Sequence, residues 1–407
     1  PKVHTVRPDG TFNERVPQWQ GRFVKSAEKE IIADLESRNL LYKTEPYTHS
    51  YPFCWRCDTA LLYYARQSWY VAMSKLRDEL IVNNEKINWV PDHLKEGRFG
   101  EWLKEVKDWA FSRERYWGTP LPLWRCVNGH IEVIGSRNDL ASHEFSSNRY
   151  MVMRHGYSNS NHEKYLSCWP ELPRSTSRLT KKGIAQVKKT ARTLQRKHID
   201  VIIASDVTRT REPAEIVGEV LGITPIFDAR IREVNGGVFN GRPLAQYHAF
   251  FKDKEERFTK RPESGETFNE VKKRMLEFMK DIDRQYHGKN ILIVSHEVPI
   301  SMLESAMRGF TVKEVIPWRD TNVIQTGESR ELPFIPFPHN DEGEIDFHRP
   351  FIDEVEFVCK ECGGMMRRVP DVADVWFDSG AMPFAQGHWP LHETRNMKHE
   401  TQNQRRM

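Results

Sequence analysis

Long apolar runs are missing from this 407-residue chain, and cysteine is scarce. The longest apolar stretches, at 201–204 and 291–294, fall far short of the ~20 residues that a membrane span needs. Six cysteines are too few for a disulfide scaffold, and no basic-then-apolar signal segment opens the chain. We therefore predict a cytoplasmic protein with no membrane partner.

Neither sign of charge dominates the chain. Its 61 basic and 57 acidic residues give a net charge of +4, which is compatible with a polyanionic partner without requiring one. At about 100–200 residues per domain, this length predicts two or three domains. Tryptophan is frequent before residue 125 and again after residue 317, but only Trp169 lies between Trp124 and Trp318. The middle of the chain is therefore expected to be a separate domain.

Short β-rich runs alternate with helical stretches in this middle region, as is typical of a parallel α/β sheet. Strands are predicted at 150–153, 201–204, 225–231 and 291–294, and helices at 181–197, 212–221, 267–284 and 299–308. The polar segment 146–148 and the proline-rich segment 333–340 indicate linkers on either side. We place this domain at 148–312 and a linker at 313–342.

Basic and polar side chains follow several of these predicted strands. Arg154 and His155 come after the first strand, Arg209 follows the second, and His296 follows the last. The carboxyl ends of the strands in an open α/β sheet are where ligands bind. A neutral imidazole can attack a phosphoryl group, arginine can bind its oxygens, and Glu233 could protonate the leaving group. The pattern predicts a phosphoryl-transfer site.

The same residues resemble the histidine phosphatase superfamily, which includes the phosphoglycerate mutases. The matching motifs are RHGxSxxN at 154–161, SDxxR at 205–209, PESGET at 262–267 and VSHE at 294–297. The resemblance implies a three-layer α/β domain acting on a phosphorylated small molecule or phosphoprotein without a cofactor. It implies that His155 is the nucleophile, Glu233 the proton donor, and that the phosphoryl group is bound by Arg154, Asn161, Arg209 and His296. A domain that binds phosphate without turnover is the alternative.

The flanking segments carry SRERYWGTPLP at 112–122 and DVWFDSGAMPFAQ at 374–386. Both resemble the class I aminoacyl-tRNA synthetases, and the isoleucyl branch in particular. The resemblance implies a partial Rossmann-like core with zinc-binding connective segments, with Trp376 lining the amino-acid pocket. In a full-length enzyme it implies isoleucine and tRNA as substrates, with ATP and magnesium. HIGH-type and KMSKS-type ATP motifs are not recognisable here, so we do not assign adenylate formation to these 407 residues.

The resemblance also divides the flanks into segments. It implies the tail of the synthetase editing domain at 1–43, ending in a helix at 23–39, and the first part of the core and connective segment at 44–145. The zinc knuckle and second part of the core would occupy 343–392, and 393–407 would be a polar tail. We expect the chain to be a synthetase fragment that carries a complete inserted domain.

Cysteine pairs in the flanks suggest metal binding. Cys359 and Cys362 have the spacing of a zinc knuckle, and Cys126 with His130 could complete a tetrahedral site. In the family the first half is usually a second CxxC pair, but here Gly129 stands near the expected cysteine. Cys54 and Cys57 are a second zinc candidate whose other ligands, by resemblance, would lie upstream of Pro1.

Two other interpretations stay open from the sequence. In one, the chain is a stand-alone histidine phosphatase or phosphate-binding module whose synthetase-derived flanks serve as a scaffold or bind RNA. In the other, the sequence joins two genes by recombination or misassembly. The main hypothesis is an isoleucine–tRNA ligase fragment with an embedded phosphomonoesterase that acts through a phosphohistidine.

Overall fold

A computed structural model of the protein describes residues 3–167, 169 and 176–387. Within these residues, no helix is long and apolar enough to cross a bilayer. The predicted tail at 393–407 and the end of the segment 343–392 lie outside the described residues. The chain divides into two compact units, Pro1–Ser68 and Trp69–Met407.

The first unit contains little regular structure in its described part. Its α-helix is α1, Glu28–Ser37, and short 3-10 helices precede it at Pro17–Trp19 and Val24–Ala27. The helix expected at 23–39 therefore begins as a 3-10 turn, with Ala27 fully buried at the transition. Isolated bridges such as Val6 with Phe12 and Phe53 with Ala60 hold the remaining extended chain.

The second unit begins with short elements of the synthetase-like flank. They are β1 (Tyr70–Val71), α2 (Arg77–Glu85), α3 (Arg98–Lys104), β2 (Trp109–Ala110), β3 (Ser112–Arg113), β4 (Leu123–Cys126), β5 (Ile131–Val133) and α4 (Arg137–Ala141). Two 3-10 helices, Met73–Leu76 and Asp92–Leu94, connect them.

A five-stranded sheet organises the middle of the chain. The elements are β6 (Arg149–Arg154), α5 (Asn159–Glu163), α6 (Lys181–Leu194), β7 (Val201–Ala204), α7 (Thr208–Leu221), β8 (Ile226–Phe227), α8 (Leu244–Ala249), α9 (Glu256–Thr259), α10 (Phe268–Gln285), β9 (Asn290–Ser295), α11 (Glu297–Met307), α12 (Val312–Asn322) and β10 (Ser329–Leu332). The strand order is β10-β6-β9-β7-β8, in which β10 is antiparallel to β6 and the other pairs are parallel.

Two apolar cores lie on opposite faces of this sheet. Alternate residues of β6 and β9, such as Val152 and Ile293, pack with α10 and α11. The intervening residues, such as Met153 and Leu292, pack with α6 and α7. Since successive side chains of a strand point to opposite faces, this division produces the predicted three-layer α/β domain.

The linker predicted at 313–342 is wrong for its first two thirds. Helix α12 occupies Val312–Asn322, and its Val315 is fully buried in the core beneath α11. Strand β10 pairs with the edge strand β6, with Leu332 opposite Tyr150. A polar edge strand carries a weak apolar pattern, because its outer side is not covered by a further strand. The pairing also brings entry and exit of the domain side by side, a geometry that permits insertion into a host protein.

The chain then returns to the flank through β11 (Glu356–Val358), β12 (Met365–Arg368), β13 (Val372–Ala373) and α13 (Val375–Ala385), after a 3-10 helix at Phe351–Glu354. Strands that precede and follow the five-stranded sheet in the chain form one antiparallel sheet in the order β11-β12-β4-β5. Trp124 and Phe357 are buried at its centre, and β13 pairs with β3. The two halves of the flank therefore fold together.

Candidate active site and candidate metal site

Two buried histidines meet at the carboxyl end of the five-stranded sheet. His155 follows β6 and His296 follows β9, and these strands are parallel neighbours with Arg154 opposite Ser295. The ring centroids are 5.3 Å apart, at an interplanar angle of 64°. The structure thus brings together the two histidines expected at the site.

The loop after β6 lies directly on the start of α6. A Cβ atom at Gly156 would come within 2.6 Å of the Gly183 carbonyl oxygen. Neither glycine could carry a side chain without moving the backbone, since a Cβ at Gly183 would meet Tyr157 O at 2.2 Å. This close contact fixes the position of the chain immediately after His155.

One tautomer of His155 follows from its contacts. Nδ1 lies 2.8 Å from the Gly156 carbonyl oxygen, so Nδ1 carries the proton and donates a hydrogen bond to that oxygen. Nε2 is left with its lone pair and accepts from Arg209 Nε at 3.3 Å. Burial, then the charges of Arg209 and Arg154, hold the pKa of His155 well below its usual value of 6.5. The imidazole is therefore neutral and nucleophilic at neutral pH.

The cationic side chains are positioned by backbone and hydroxyl groups. Arg209 donates through Nη1 to Ser167 Oγ at 3.1 Å and through Nη2 to Ser167 O at 2.7 Å. Arg154 donates through Nη1 to Ile324 O at 2.8 Å, and its buried Nε has no partner within the described residues. Both guanidinium groups line the same cavity as His155, where arginine can bind phosphoryl oxygens.

His296 is held by Ser205, which follows β7. Its Nε2 lies 3.0 Å from Ser205 Oγ, whereas its buried Nδ1 has no hydrogen-bond partner in the described part of the chain. Burial and the charge of Arg209 lower the pKa of His296 well below 6.5, so this ring is also neutral.

Glu233 lines the same cavity as His155. It follows the 3-10 helix Ala229–Ile231, and Oε1 accepts from the Val234 N–H group at 3.0 Å. Burial raises the pKa of Glu233, and the nearby Glu297 charge adds to this effect, although Arg209 opposes it. A carboxyl group that keeps its proton at higher pH is suited to general acid chemistry.

Asn161 stands at the edge of the cavity as a helix-capping residue. Its Oδ1 accepts from the Ser158 N–H group at 3.1 Å and from Ser158 Oγ at 2.8 Å. The amide nitrogen is the group left to face a ligand. The cavity has a volume of about 230 Å³, and it contains Arg154, His155, Asn161, Arg209 and Glu233 in its lining.

Ser167, Arg257 and Arg319 also belong to this site but were not predicted. They lie outside the recognised motifs, on a loop, on α9 and on α12. The SDxxR motif contains Ser205, but the sequence did not indicate that its hydroxyl contacts His296.

A second cluster joins the two halves of the flank. Cys126, His130, Cys359 and Cys362 place one ligand atom each within 4.8 Å of the others. Cys126 Sγ lies 3.5 Å from His130 Nδ1 and 3.7 Å from Cys362 Sγ, and Cys359 Sγ lies 3.6 Å from His130 Nδ1. On its other side, His130 Nε2 is 3.4 Å from Glu361, a carboxylate that orients the ring. All four predicted ligands of this site come together.

Cys54 and Cys57 lie in the first compact unit. Cys57 Sγ is 3.2 Å from Thr59 Oγ1, and this contact lowers the pKa of the Cys57 thiol. Within the described residues no third side chain joins them as a potential metal ligand. A metal at this pair stays a prediction.

Trp376 lies in the first turn of α13 and is 74% exposed. It lines a cavity of about 1100 Å³ together with Trp109 and Asp108. Asp374 accepts from Trp109 Nε1 at 3.0 Å and forms an ion pair with Arg113, which ties the SRERYWGTPLP and DVWFDSG segments together. An amino-acid pocket at Trp376 stays a prediction.

Models of two protein families match different parts of this chain. A family model for the class I tRNA synthetases (I, L, M and V) matches residues 19–166 and 319–404, more than half of the chain. The chain therefore belongs to the class I tRNA synthetases. Similar relatives are the isoleucine–tRNA ligases of Streptomyces coelicolor, 57% identical over 140 residues, and of Picrophilus torridus, 57% identical over 138 residues. In each case the aligned region covers 34% of this chain and 13% of the relative.

Residues 150–325 match the model of the histidine phosphatase superfamily (branch 1), and most of this match lies between the two segments that match the synthetase model. Both are families of enzymes. Similar solved structures include a mycobacterial glucosyl-3-phosphoglycerate phosphatase, with TM-score 0.40 and 22% identity, covering 48% of this chain and 94% of that chain. Bacillus stearothermophilus YhfR has TM-score 0.39 and 23% identity, and covers 49% and 94%.

Proposed function

We propose that the inserted domain hydrolyses phosphomonoesters through a phosphohistidine on His155. The observation that carries this proposal is the neutral, buried imidazole whose Nε2 lone pair faces a cavity with Arg154 and Arg209. The Nε atom of Arg154 is buried without a hydrogen-bond partner within the described residues, and an unsatisfied buried donor is costly. A bound phosphoryl group would offset that cost.

The first half of the reaction transfers the phosphoryl group to the protein. His155 Nε2 attacks phosphorus, the bond from phosphorus to the ester oxygen breaks, and Arg154 and Arg209 bind the phosphoryl oxygens. Protonated Glu233 gives its proton to the leaving alkoxide, which departs as the alcohol. With the Ser205 hydroxyl donating to His296 Nε2, the proton of His296 lies on Nδ1 and is available to a phosphoryl oxygen.

The second half regenerates the enzyme. Glu233, now a carboxylate, removes a proton from water, and the resulting hydroxide attacks phosphorus. The bond from phosphorus to Nε2 breaks, inorganic phosphate leaves, and the lone pair returns to His155. Glu233 is again protonated, so atoms and charges balance over the cycle.

Trapping the intermediate tests this mechanism. Rapid quenching of the 407-residue chain with a radiolabelled phosphomonoester should label the protein through a linkage that is labile in acid and stable in base, as expected for a phosphoramidate. His155→Ala should remain unlabelled. Turnover by the unmodified chain with no trapped label under any quench would refute the covalent route.

The flanks support a second function, as part of an isoleucine–tRNA ligase that uses isoleucine, tRNA, ATP and magnesium in its full length. The 57% identity to isoleucine–tRNA ligases favours this proposal. Two indole side chains, Trp109 and Trp376, line one large cavity there and would provide apolar walls for an aliphatic amino acid.

We also propose zinc at Cys126, His130, Cys359 and Cys362. Tetrahedral zinc with bonds of ~2.3 Å to sulfur and ~2.0 Å to nitrogen requires ligand atoms about 3.5–3.8 Å apart. The separations of 3.5, 3.6 and 3.7 Å agree with this geometry. Bound there, zinc would link β4 to the β11–β12 hairpin and stabilise the junction across the insertion. Thiols that must stay reduced to bind a metal favour a cytoplasmic location.

A further inference from the structure

A second cavity adjoins the one that contains His155. It has a volume of about 310 Å³ and is lined by Lys254, Val315, Asp320 and others. The two cavities share five lining residues, namely Arg154, Arg257, Phe268, Glu297 and Arg319. An alcohol leaving from a phosphoryl group at His155 would therefore have access to this second space.

Positive charge exceeds what one phosphoryl group requires. Among the described residues, the His155 cavity is lined by two carboxylates, Glu233 and Glu297, and by five cationic side chains, those of Arg154, Lys164, Arg209, Arg257 and Arg319. Glu297 is already paired with Arg319 at 2.7 Å, and in the second cavity Lys254 is paired with Asp320. A phosphoryl dianion offsets Arg154 and Arg209, which leaves Lys164, an exposed side chain, and the half-buried Arg257.

Arg257 has no carboxylate partner within the part of the chain that the structure describes. On α9, it donates through Nη2 to His248 Nδ1 at 2.9 Å, and its guanidinium group lies 5.6 Å from the Phe251 ring centroid. Its buried Nε has no hydrogen-bond partner among the described residues. Burial, then the neighbouring Arg319, lower the pKa of Arg257, which indicates that the unmatched charge is costly.

His248 supports the same interpretation. An arginine N–H group can only donate, so His248 Nδ1 accepts and its proton lies on Nε2. Burial, then Arg257, lower the pKa of His248, so the ring is neutral. Since His248 also lines the cavity, it adds an N–H donor beside Arg257 without adding charge.

We infer that the substrate is a small phosphomonoester whose alcohol part carries a second anionic group, a carboxylate or a second phosphate, that Arg257 binds. The inference rests on the proposed phosphatase function and specifies its substrate class. A charge-assisted hydrogen bond to such a group is worth about 1.5–3 kcal/mol, which corresponds to about 10- to 150-fold in kcat/KM.

Matched substrates test this inference on the 407-residue chain. 3-Phosphoglycerate and glycerol 1-phosphate differ by a carboxylate in place of a hydroxymethyl group, and fructose 1,6-bisphosphate and fructose 6-phosphate differ by the second phosphate. In one of these pairs, we expect kcat/KM to be at least tenfold higher for the substrate that carries the second anionic group. Arg257→Gln should reduce that preference about tenfold or more. Arg196→Gln, at an exposed arginine outside both cavities, should retain it.

The outcomes separate this inference from the proposed function. Hydrolysis of p-nitrophenyl phosphate without preference in either pair, or a preference that Arg257→Gln retains, would overturn the second-anion site and leave the phosphatase proposal standing. If no phosphate ester is hydrolysed, the proposed function fails. The second-anion site is then tested by calorimetry, which measures the binding of the same matched compounds to His155→Ala. Binding of 3-phosphoglycerate or the bisphosphate no tighter than its matched partner overturns the inference too, whereas tighter binding that Arg257→Gln removes supports it.

Discussion

Arg209 donates a hydrogen bond from Nε to His155 Nε2 at 3.3 Å, although the two residues lie 54 positions apart. The contact places a permanent cation against the nitrogen that would attack phosphorus. It disfavours protonation of that nitrogen, and a phosphoryl group arriving there would meet an N–H donor already aligned with it.

Replacing the nucleophile should abolish turnover without unfolding the domain. We expect His155→Ala to reduce kcat for p-nitrophenyl phosphate by about a thousandfold or more, because the covalent route is lost. The control is His287→Ala, at an exposed histidine away from the cavity, which should behave as the unmodified chain. Wild-type rates in a folded His155→Ala variant, checked by circular dichroism, would show the mechanism to be wrong.

Replacing the proton donor should affect substrates according to their leaving group. Glu233→Gln cannot protonate an alkoxide, so we expect kcat for alkyl phosphates to fall about 100-fold or more. Activated aryl phosphates, whose phenolate leaves unaided, should lose about tenfold or less. Equal losses with both substrate types would argue against Glu233 as the acid.

The pH profile should depend on Glu233 rather than on His155. Because burial raises the pKa of Glu233, its protonated form persists above the usual range, and alkyl-phosphate turnover should fall as pH rises through that pKa. Because the pKa of His155 is held well below 6.5, no loss from nucleophile protonation is expected between pH 6.5 and about pH 8. Measuring kcat/KM against pH for the unmodified chain and Glu233→Gln checks this, since the alkaline fall should be absent in the variant.

Removing one thiolate should release the metal from the flank. We expect about one zinc per chain, and Cys359→Ala should lower both the zinc content and Tm because thiolate binding contributes folding energy. His93→Ala, at an exposed histidine outside the cluster, is the control. Plasma emission analysis that finds the same zinc content in Cys359→Ala would refute the assignment, and retained zinc lost only on Cys54→Ala would move it to the other pair.

Lys272 should make stability depend on pH in the alkaline range. It is 1% exposed on α10, and burial lowers its pKa from 10.5 to about 8. Below pH 8 the buried amine is charged in the folded protein, and this charge lowers the free energy of unfolding. Above pH 10.5 the amine is neutral in the folded and the unfolded state, and the cost is gone. Stability should therefore rise from pH 8 to pH 10.5. The effect has an upper bound of about 3 kcal/mol.

The variant Lys272→Met tests this effect, and Lys273→Met, at the exposed neighbouring lysine, is the control. We expect Lys272→Met to raise the free energy of unfolding at pH 7 and to remove the alkaline rise, as measured by urea denaturation. Lys273→Met should leave both unchanged. An identical pH dependence in Lys272→Met and the unmodified chain would show that Lys272 is not the group responsible.

The 407-residue chain should not activate isoleucine. Recognisable HIGH-type and KMSKS-type motifs are absent from its sequence, and these motifs handle ATP in class I synthetases. We expect no isoleucine-dependent exchange of pyrophosphate into ATP by the purified chain, with a full-length isoleucine–tRNA ligase as the positive control. Exchange above background that requires isoleucine would contradict this prediction.

Local pattern predicted the central sheet well but its edges poorly. The strand at Val201–Ala204 was predicted with its exact bounds, because a parallel strand buried on both faces is a continuous apolar run. The strand expected at 225–231 is only Ile226–Phe227, followed by a 3-10 helix, because it lies at the edge of the sheet. Strand β10, at the other edge of the sheet, was missed. Its pairing partner β6 lies far away in the chain, so no local pattern indicates the pairing.

The sequence by itself determined where the candidate catalytic residues stand relative to the strands, because the motifs around His155, Arg209 and His296 follow strands whose apolar runs are local features. It also determined the synthetase family of the flanks. Only the tertiary structure showed that Cys126 and His130, which the sequence offered as candidates, lie within reach of Cys359 and Cys362. Only the structure, too, placed Arg257 at the cavity with no carboxylate partner among the described residues. These relationships depend on long-range packing and on which charges remain unpaired after burial, and neither property is encoded in the periodicity of a local segment.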